Sequence, residues 1–285
     1  MRLLVFGQTG QVARELARIA PGAQFLSRDD ADLTDPEACA QIIRQSDAEV
    51  IINAAAYTAV DRAETEAETA FLVNSASPAA MAKAAAEKAI PFVHISTDYV
   101  FDGRGARPWR SDDPVSPLGV YGQSKFAGEN GIRTAAGVHV ILRTSWVVSA
   151  HGANFVKTML RLSETRDVLR VVSDQVGGPT PAAAIARAVV RIAKVLVANA
   201  GPTGTYHFAG APDASWADFA RAIFTETGRK VTVDDISTED YPTPAQRPAN
   251  SRLDCTTLER DFGIKRPNWR AGLQHILTDL KEQNS

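Results

Sequence analysis

Apolar residues in the first half of the chain come in short unbroken runs, each followed by a stretch with helical spacing. Residues 2–6 read as a buried strand and 11–20 as a helix. Residues 24–26 and 50–53 are further strand-like runs, and 92–96 and 139–144 complete the set. Asp35-Pro36 and Ser77-Pro78 each place a capping side chain before a proline, which predicts two helix starts. Residues 121–133 form a further helical stretch. Strands separated by helices predict βαβ units, right-handed crossovers and a parallel sheet. The fold class is therefore α/β, a Rossmann-type doubly wound parallel sheet, with ligands beyond the carboxyl ends of its strands.

The second half is less regular. Residues 154–165 read as a helix, Thr180-Pro181 opens another, 205–210 is a strand, and Ser215 caps a helix that stops at Gly228. A proline-rich stretch, 241–254, reads as an ordered loop or lid, and 269–281 as a last helix. This pattern predicts a dinucleotide-binding domain over 1–150 that also takes in 176–210. A smaller C-terminal α/β substrate domain would then comprise 151–175 and 211–285.

Composition narrows the class. The chain has 285 residues, 45% hydrophobic and 22% charged, with a net charge of -2. That is ordinary for a soluble globular protein and gives no basic footprint for nucleic acid. Cys39 and Cys255 are too few for a disulfide framework and fit a reducing cytoplasm. The apolar N-terminal run is too short for a signal peptide, and Arg187, Arg191 and Lys194 interrupt the most apolar long segment, which argues against a membrane span.

Three motifs fall just after strand ends. "GQTGQVA" (residues 7–13) follows the first strand: Gly7 allows a tight turn, Gly10 a close backbone approach to pyrophosphate, and Ala13 close helix packing. After the second strand, Ser27 and Arg28 offer a hydroxyl and a cation that suit the 2′-phosphate of NADPH, against a solvated surface arginine. Asp32 and Leu33 either flank the adenine or cap the next helix. After the third strand, Ala54, Ala55 and Ala56 would let a flat cofactor lie on the backbone, or simply pack a helix closely.

The fourth strand ends at Thr97, and Tyr121 and Lys125 follow with an i,i+4 spacing that puts both on one helix face. The three supply one mechanism. Tyr121 protonates a carbonyl oxygen as hydride arrives, Lys125 holds the nicotinamide ribose and lowers the phenol pKa, and Thr97 orients the carbonyl. A cation about 4 Å away is worth about 4 kcal/mol at an effective dielectric of about 20, enough to move a phenol by about three pH units. The five histidines (His94, His139, His151, His207 and His275) lack metal-ligand spacing and read as structural or surface residues.

The loop, the threonine-tipped strand and the Tyr-x3-Lys helix resemble the extended short-chain dehydrogenase/reductases. "NAAAYTAVDRAE", "STDYVFDG", "YGQSKFAGE", "LRTSWV", "SDQVGGPT" and "RPANSRLD" further resemble the dTDP-4-dehydrorhamnose reductase family over nearly the whole chain. That resemblance implies NAD(P)H-dependent reduction of a C4 ketone on a dTDP-linked deoxysugar. It assigns Gly10, Gln11 and Val12 to the pyrophosphate, Asp32 and Leu33 to the adenine, and Ala56, Tyr57 and Thr58 to the surface under the cofactor. Thr97 and Asp98 are assigned to the substrate, Tyr121 to proton donation with Lys125 as its partner, and Trp146 to the sugar. Some relatives carry an acidic residue in place of Ser27, so NADH remains an alternative to NADPH. Some bind magnesium between subunits through glutamates. Glu15 matches one of these, but "AAAIARA" after Pro181 lacks the second, leaving metal and homodimer open. Arg247 fits either the substrate pyrophosphate or a helix-docking salt bridge. Competing readings are an epimerase or dehydratase, and a non-catalytic NADP-binding regulatory subunit. A dehydratase would follow the threonine with Asp-Glu, where this chain has Asp98-Tyr99.

Overall fold

A computed structural model describes residues 1–283. β1 (Leu3–Phe6) turns into α1 (Gln11–Ile19), followed by β2 (Gln24–Leu26), α2 (Pro36–Gln45) and β3 (Val50–Asn53). The short α3 (Val60–Ala63) and α4 (Ala67–Phe71) lead through a π-helical turn, Leu72–Ala76, into α5 (Ser77–Glu87). β4 (Phe92–Thr97), a 3-10 turn (Asp98–Val100), α6 (Val120–Thr134) and β5 (His139–Thr144) complete the first half. Then come β6 (Val147–Val148), α7 (Phe155–Leu162), β7 (Val168–Val172), β8 (Val176–Gly177), β9 (Thr180–Pro181), α8 (Ala182–Ala198) and β10 (Gly204–Phe208). The chain ends with β11 (Ala214–Ser215), α9 (Trp216–Thr227), β12 (Thr232–Ile236), β13 (Asn250–Ser251), α10 (Thr256–Phe262) and α11 (Trp269–Gln283).

The main sheet has six strands in the order β2-β1-β3-β4-β5-β10, every pair parallel. The unbroken apolar runs of β1 and β3 are buried on both faces, as a helix-covered parallel sheet requires. One face packs on Leu16, Ile185, Val189 and Ile192 of α1 and α8. The other packs on Cys39, Ile43, Met81 and Ala85 of α2 and α5. A separate core gathers Val156, Phe219, Ile223, Trp269 and Leu273 from α7, α9 and α11. Strand order reverses at β1, flanked by β2 and β3, which opens a crevice at their carboxyl ends.

α5 begins at Ser77 with Pro78 in its first turn, but Ser77 does not cap it. The chain is already helical from Ala67, and the Ser77 hydroxyl donates instead to the Leu33 carbonyl (2.7 Å). The π-turn reconciles a proline with a continuing helix, because Pro78 has no N–H to offer the preceding turn. β7 and β12 form a parallel pair in the second half, over residues for which the sequence pattern predicts no strands. Among the described residues no helix is long and apolar enough to cross a membrane.

Candidate active site

At the crevice, Gly7 has φ +110°, and a Cβ there would lie 3.3 Å from the backbone of Ala54 and Ala55, so the β1 corner rests directly on the end of β3. The N-terminus of α1 has no side-chain cap. The Gln11 side chain is committed elsewhere: its Oε1 accepts from Ser149 Oγ (2.9 Å) and Asn154 Nδ2 (3.1 Å). Val12 is in the core. The backbone N–H groups at this helix start are the part left to hold a pyrophosphate.

Ala55 and Ala56 are half-buried beyond β3, and Ala55 N–H donates to Asn53 Oδ1 (3.1 Å). Tyr57 is pinned through its backbone: its N–H donates to Asn74 Oδ1 (2.9 Å) and its carbonyl accepts from Asn74 Nδ2 (3.1 Å). Its phenol donates to Glu66 (2.6 Å), and Thr58 is exposed. At the end of β2, Asp30 adds an acidic group beside Ser27. Its carboxylate accepts from Ser27 Oγ (2.6 Å) and Ser27 N–H (2.9 Å). Arg28 is exposed, 3.8 Å from Asp32, whose other oxygen accepts from Thr34 N–H (2.9 Å). Leu33 is buried.

Tyr121, Lys125 and Glu129 share one face of α6. A Cβ on Gly122 would come within 2.1 Å of the Tyr99 carbonyl oxygen, so only glycine lets the helix approach the turn after β4 this closely. Asn74 Nδ2 also donates to Ser124 Oγ (3.1 Å), tying the π-turn to the same helix. Glu129 accepts from Arg143 through both oxygens (2.9 and 2.6 Å), from Ser96 Oγ (2.6 Å) and from Arg133 (2.7 Å). Burial pushes this carboxyl up, but Arg143, Ser96 and Arg133 together outweigh it and hold the pKa below the ordinary value.

The Tyr121 ring meets Tyr99 edge-on at 5.4 Å, and its phenol lies near the Thr97 hydroxyl. Burial drives Tyr121 up to about 12, with Thr97 pulling down and Asp98 adding to the rise. The expectation that Lys125 lowers this pKa is corrected. The Lys125 Nζ donates to the Ile95 carbonyl (2.7 Å), lies 3.0 Å from His94 Nε2, and is itself pushed down to about 8 by burial. Desolvation, not the cation, sets the phenol.

Asp98 Oδ1 accepts from Thr97 Oγ1 (3.2 Å), while its Oδ2 is buried with no hydrogen-bond partner. Burial raises it to about 6, against the pull of the Ser251 and Thr97 hydroxyls. Ser251 Oγ lies beside it without closing a well-formed hydrogen bond and has no other partner. Trp146, at the end of β5, has φ +49° and stacks on Trp216 at 3.5 Å between ring centroids. Arg247 donates to Asp61 on α3 (2.7 Å), which fastens the proline-rich loop to the rim.

The surroundings of Glu15 do not fit a magnesium site. Its buried carboxylate faces Arg18 (3.3 Å) and His151 (3.6 Å). Among the described residues no three His, Cys, Asp or Glu side chains gather to hold a metal ion.

A parallel sheet with a glycine corner at its switch point and a Thr–Tyr–Lys group beyond the fourth strand defines the short-chain dehydrogenase/reductase class. Within it, the family described as "RmlD substrate binding domain" matches residues 1–282. A dTDP-4-dehydrorhamnose reductase from Sinorhizobium fredii is 46% identical, covering 98% of both chains. The solved structure of a dTDP-4-dehydrorhamnose reductase from Clostridium acetobutylicum superposes with a TM-score of 0.91 at 36% identity, covering 99% of this chain and 100% of that one. One from Bacillus anthracis, in complex with NADP, gives 0.90 at 33% identity, covering 98% and 99%. The chain belongs to the dTDP-4-dehydrorhamnose reductase family.

Proposed function

We propose that the protein reduces the C4 ketone of dTDP-4-dehydro-L-rhamnose to dTDP-L-rhamnose with NAD(P)H. The observation that carries this reading is the Tyr121 phenol, set near the Thr97 hydroxyl and raised to about 12 by burial. A proton donor must hold its proton until charge develops on the ketone oxygen. The nicotinamide cofactor supplies the hydride. The backbone of Gly7, Gly10, Gln11 and Val12 would hold its pyrophosphate, Ser27, Arg28, Asp32 and Leu33 its adenosine, and Ala55, Ala56, Tyr57 and Thr58 its inner half. Thr97 holds the carbonyl in line with the phenol. Asp98, with its unpartnered oxygen, suits a sugar hydroxyl. Trp146 offers an apolar surface to the sugar ring, and Arg247 a cation to the substrate pyrophosphate. Residues 1–150 with 176–210 serve the cofactor, and 151–175 with 211–285 the sugar nucleotide. Arg28 favours NADPH over NADH. The two buried, unpaired thiols suit the cytoplasm.

The test is direct. With dTDP-4-dehydro-L-rhamnose and NADPH, the purified protein consumes reduced nicotinamide and yields an equal amount of dTDP-L-rhamnose. Absence of consumption with either NADPH or NADH overturns the reading. Conversion without net cofactor consumption indicates an epimerase instead.

A further inference from the structure

The helix that carries Tyr121 begins without a cap of its own. Gly119 precedes α6 and has no side chain to offer the free N–H groups of the first turn. The acceptor comes from 56 positions away: Val120 N–H donates to Oε1 of Glu64, at the end of α3 (2.9 Å). A Cβ on Gly119 would lie 2.5 Å from that same oxygen, so the carboxylate fills the space that any other residue at 119 would take. The Gly119 backbone is extended (φ -142°, ψ 176°), a conformation open to every residue. The glycine therefore answers to Glu64 and not to the backbone.

We propose that Glu64 is a positioning residue that caps α6 from outside and so fixes its first turn, and with it the Tyr121 phenol. A carboxylate at this end also meets the positive pole of the helix. The residues that follow are held by other elements. Gly122 lies against the Tyr99 carbonyl. Ser124 Oγ accepts from Asn74 Nδ2 (3.1 Å) and donates to the Tyr121 carbonyl (2.9 Å). Glu64 supplies the matching restraint on the N-terminal side, at the residue next to the proton donor.

Glu64 belongs to a segment that braces the crevice at three places. Asp61 accepts from Ala245 N–H (3.1 Å) and Arg247 (2.7 Å) of the proline-rich loop. Glu66 accepts from the Tyr57 phenol (2.6 Å) and from Arg62 Nε (3.0 Å). Three carboxylates within residues 61–66 thus reach the loop, the start of α6 and the turn after β3. The Glu64 contact is the one that adjoins Tyr121.

The cap and the ring position can be read without substrate; only the catalytic consequence rests on the proposed reaction. In Glu64→Ala the Val120 amide should exchange with solvent about five- to tenfold faster. The Tyr121 ring resonances, assigned among five tyrosines by their loss in Tyr121→Phe, should move as the edge-on contact with Tyr99 loosens. Glu64→Gln keeps the acceptor and should restore both. Unchanged exchange at Val120 overturns the cap, and an unmoved Tyr121 ring overturns the positioning role. Gly119→Ala displaces the carboxylate and should reproduce Glu64→Ala while adding little on top of it; additive effects overturn the shared space. In turnover, Glu64→Ala should lower kcat about three- to tenfold with the KM for NADPH unchanged, and Glu64→Gln should recover it. A loss carried by KM instead overturns the link to the proton donor. A wild type that consumes no nicotinamide removes the reaction, and the amide and ring measurements still decide the inference.

Discussion

Thr97, Asp98 and Lys125, around the carboxyl end of β4, are 6%, 3% and 1% exposed, whereas the Arg28 and Asp32 side chains after β2 are 80% and 45% exposed. Both regions face the same crevice and both were read from strand-end motifs. The first works at low effective dielectric, where burial is the largest influence and takes Tyr121 to about 12, Asp98 to about 6 and Lys125 to about 8. The second works in solvent, where charges are screened. Proton chemistry belongs in the buried region and cofactor preference in the exposed one, so substitutions should divide accordingly. Tyr121→Phe keeps the ring against Tyr99 and removes only the proton. It should lower kcat about 10²–10⁴-fold with little change in the KM for NADPH. A rate within a few-fold of wild type would take Tyr121 out of proton transfer.

The buried region contains its own contrast, one helical turn apart on α6. Glu129 is fully partnered and stays ionised, and Lys125 has lost water without gaining a counter-charge of its own. Arg143→Met leaves the Glu129 charge buried with fewer donors and should cost about 3–5 kcal/mol of stability in urea unfolding. Adding Glu129→Leu should recover much of that loss, because the stranded charge goes too. A single variant within about 1 kcal/mol of wild type would show that the pair does not hold α6 in place.

Asp98 gives the next effect. Its carboxyl titrates near 6 in the folded protein against 3.8 ordinarily, so between those values the folded chain keeps a proton that the unfolded chain has released. Stability therefore falls as pH rises through this window, and the penalty reaches about 3 kcal/mol above it. Asp98→Asn cannot ionise. Unfolding free energies of the two proteins, measured from about pH 4 to about pH 7, should diverge in favour of the variant. A difference that does not change with pH would mean that Asp98 is not held by burial in this way.

How much of this could be read in advance follows from what each feature depends on. β1 and β3 are buried on both faces, and their apolar runs record that directly. Tyr121 and Lys125 are joined by helical spacing, which is local. Asn53 and His94 are not: only the β3–β4 register brings them together, and forty-one positions separate them. The sole linear trace was a histidine inside the otherwise apolar start of "FVHIST", a polar group that a buried strand must partner. Ser77-Pro78 marks the start of α5 but misleads on the cap, because helical turns are already under way from Ala67. Asn74 sits in the π-turn that made this possible, and nothing in its neighbours announces its bonds to Tyr57 and Ser124.

The exposed corner should give the smallest effect. Arg28 lies 3.8 Å from Asp32, a separation and exposure at which an ion pair contributes under about 1 kcal/mol. That leaves its guanidinium free to serve a 2′-phosphate, while the Asp30 carboxylate against Ser27 weakens any preference by repelling the same charge. Arg28→Gln should raise the KM for NADPH about three- to five-fold, leave that for NADH unchanged, and lose its effect as salt rises. Equal changes for the two cofactors would mean that Arg28 touches the adenosine or nothing at all. A change confined to NADPH would place the discrimination on one solvated side chain, with the buried proton machinery indifferent to it.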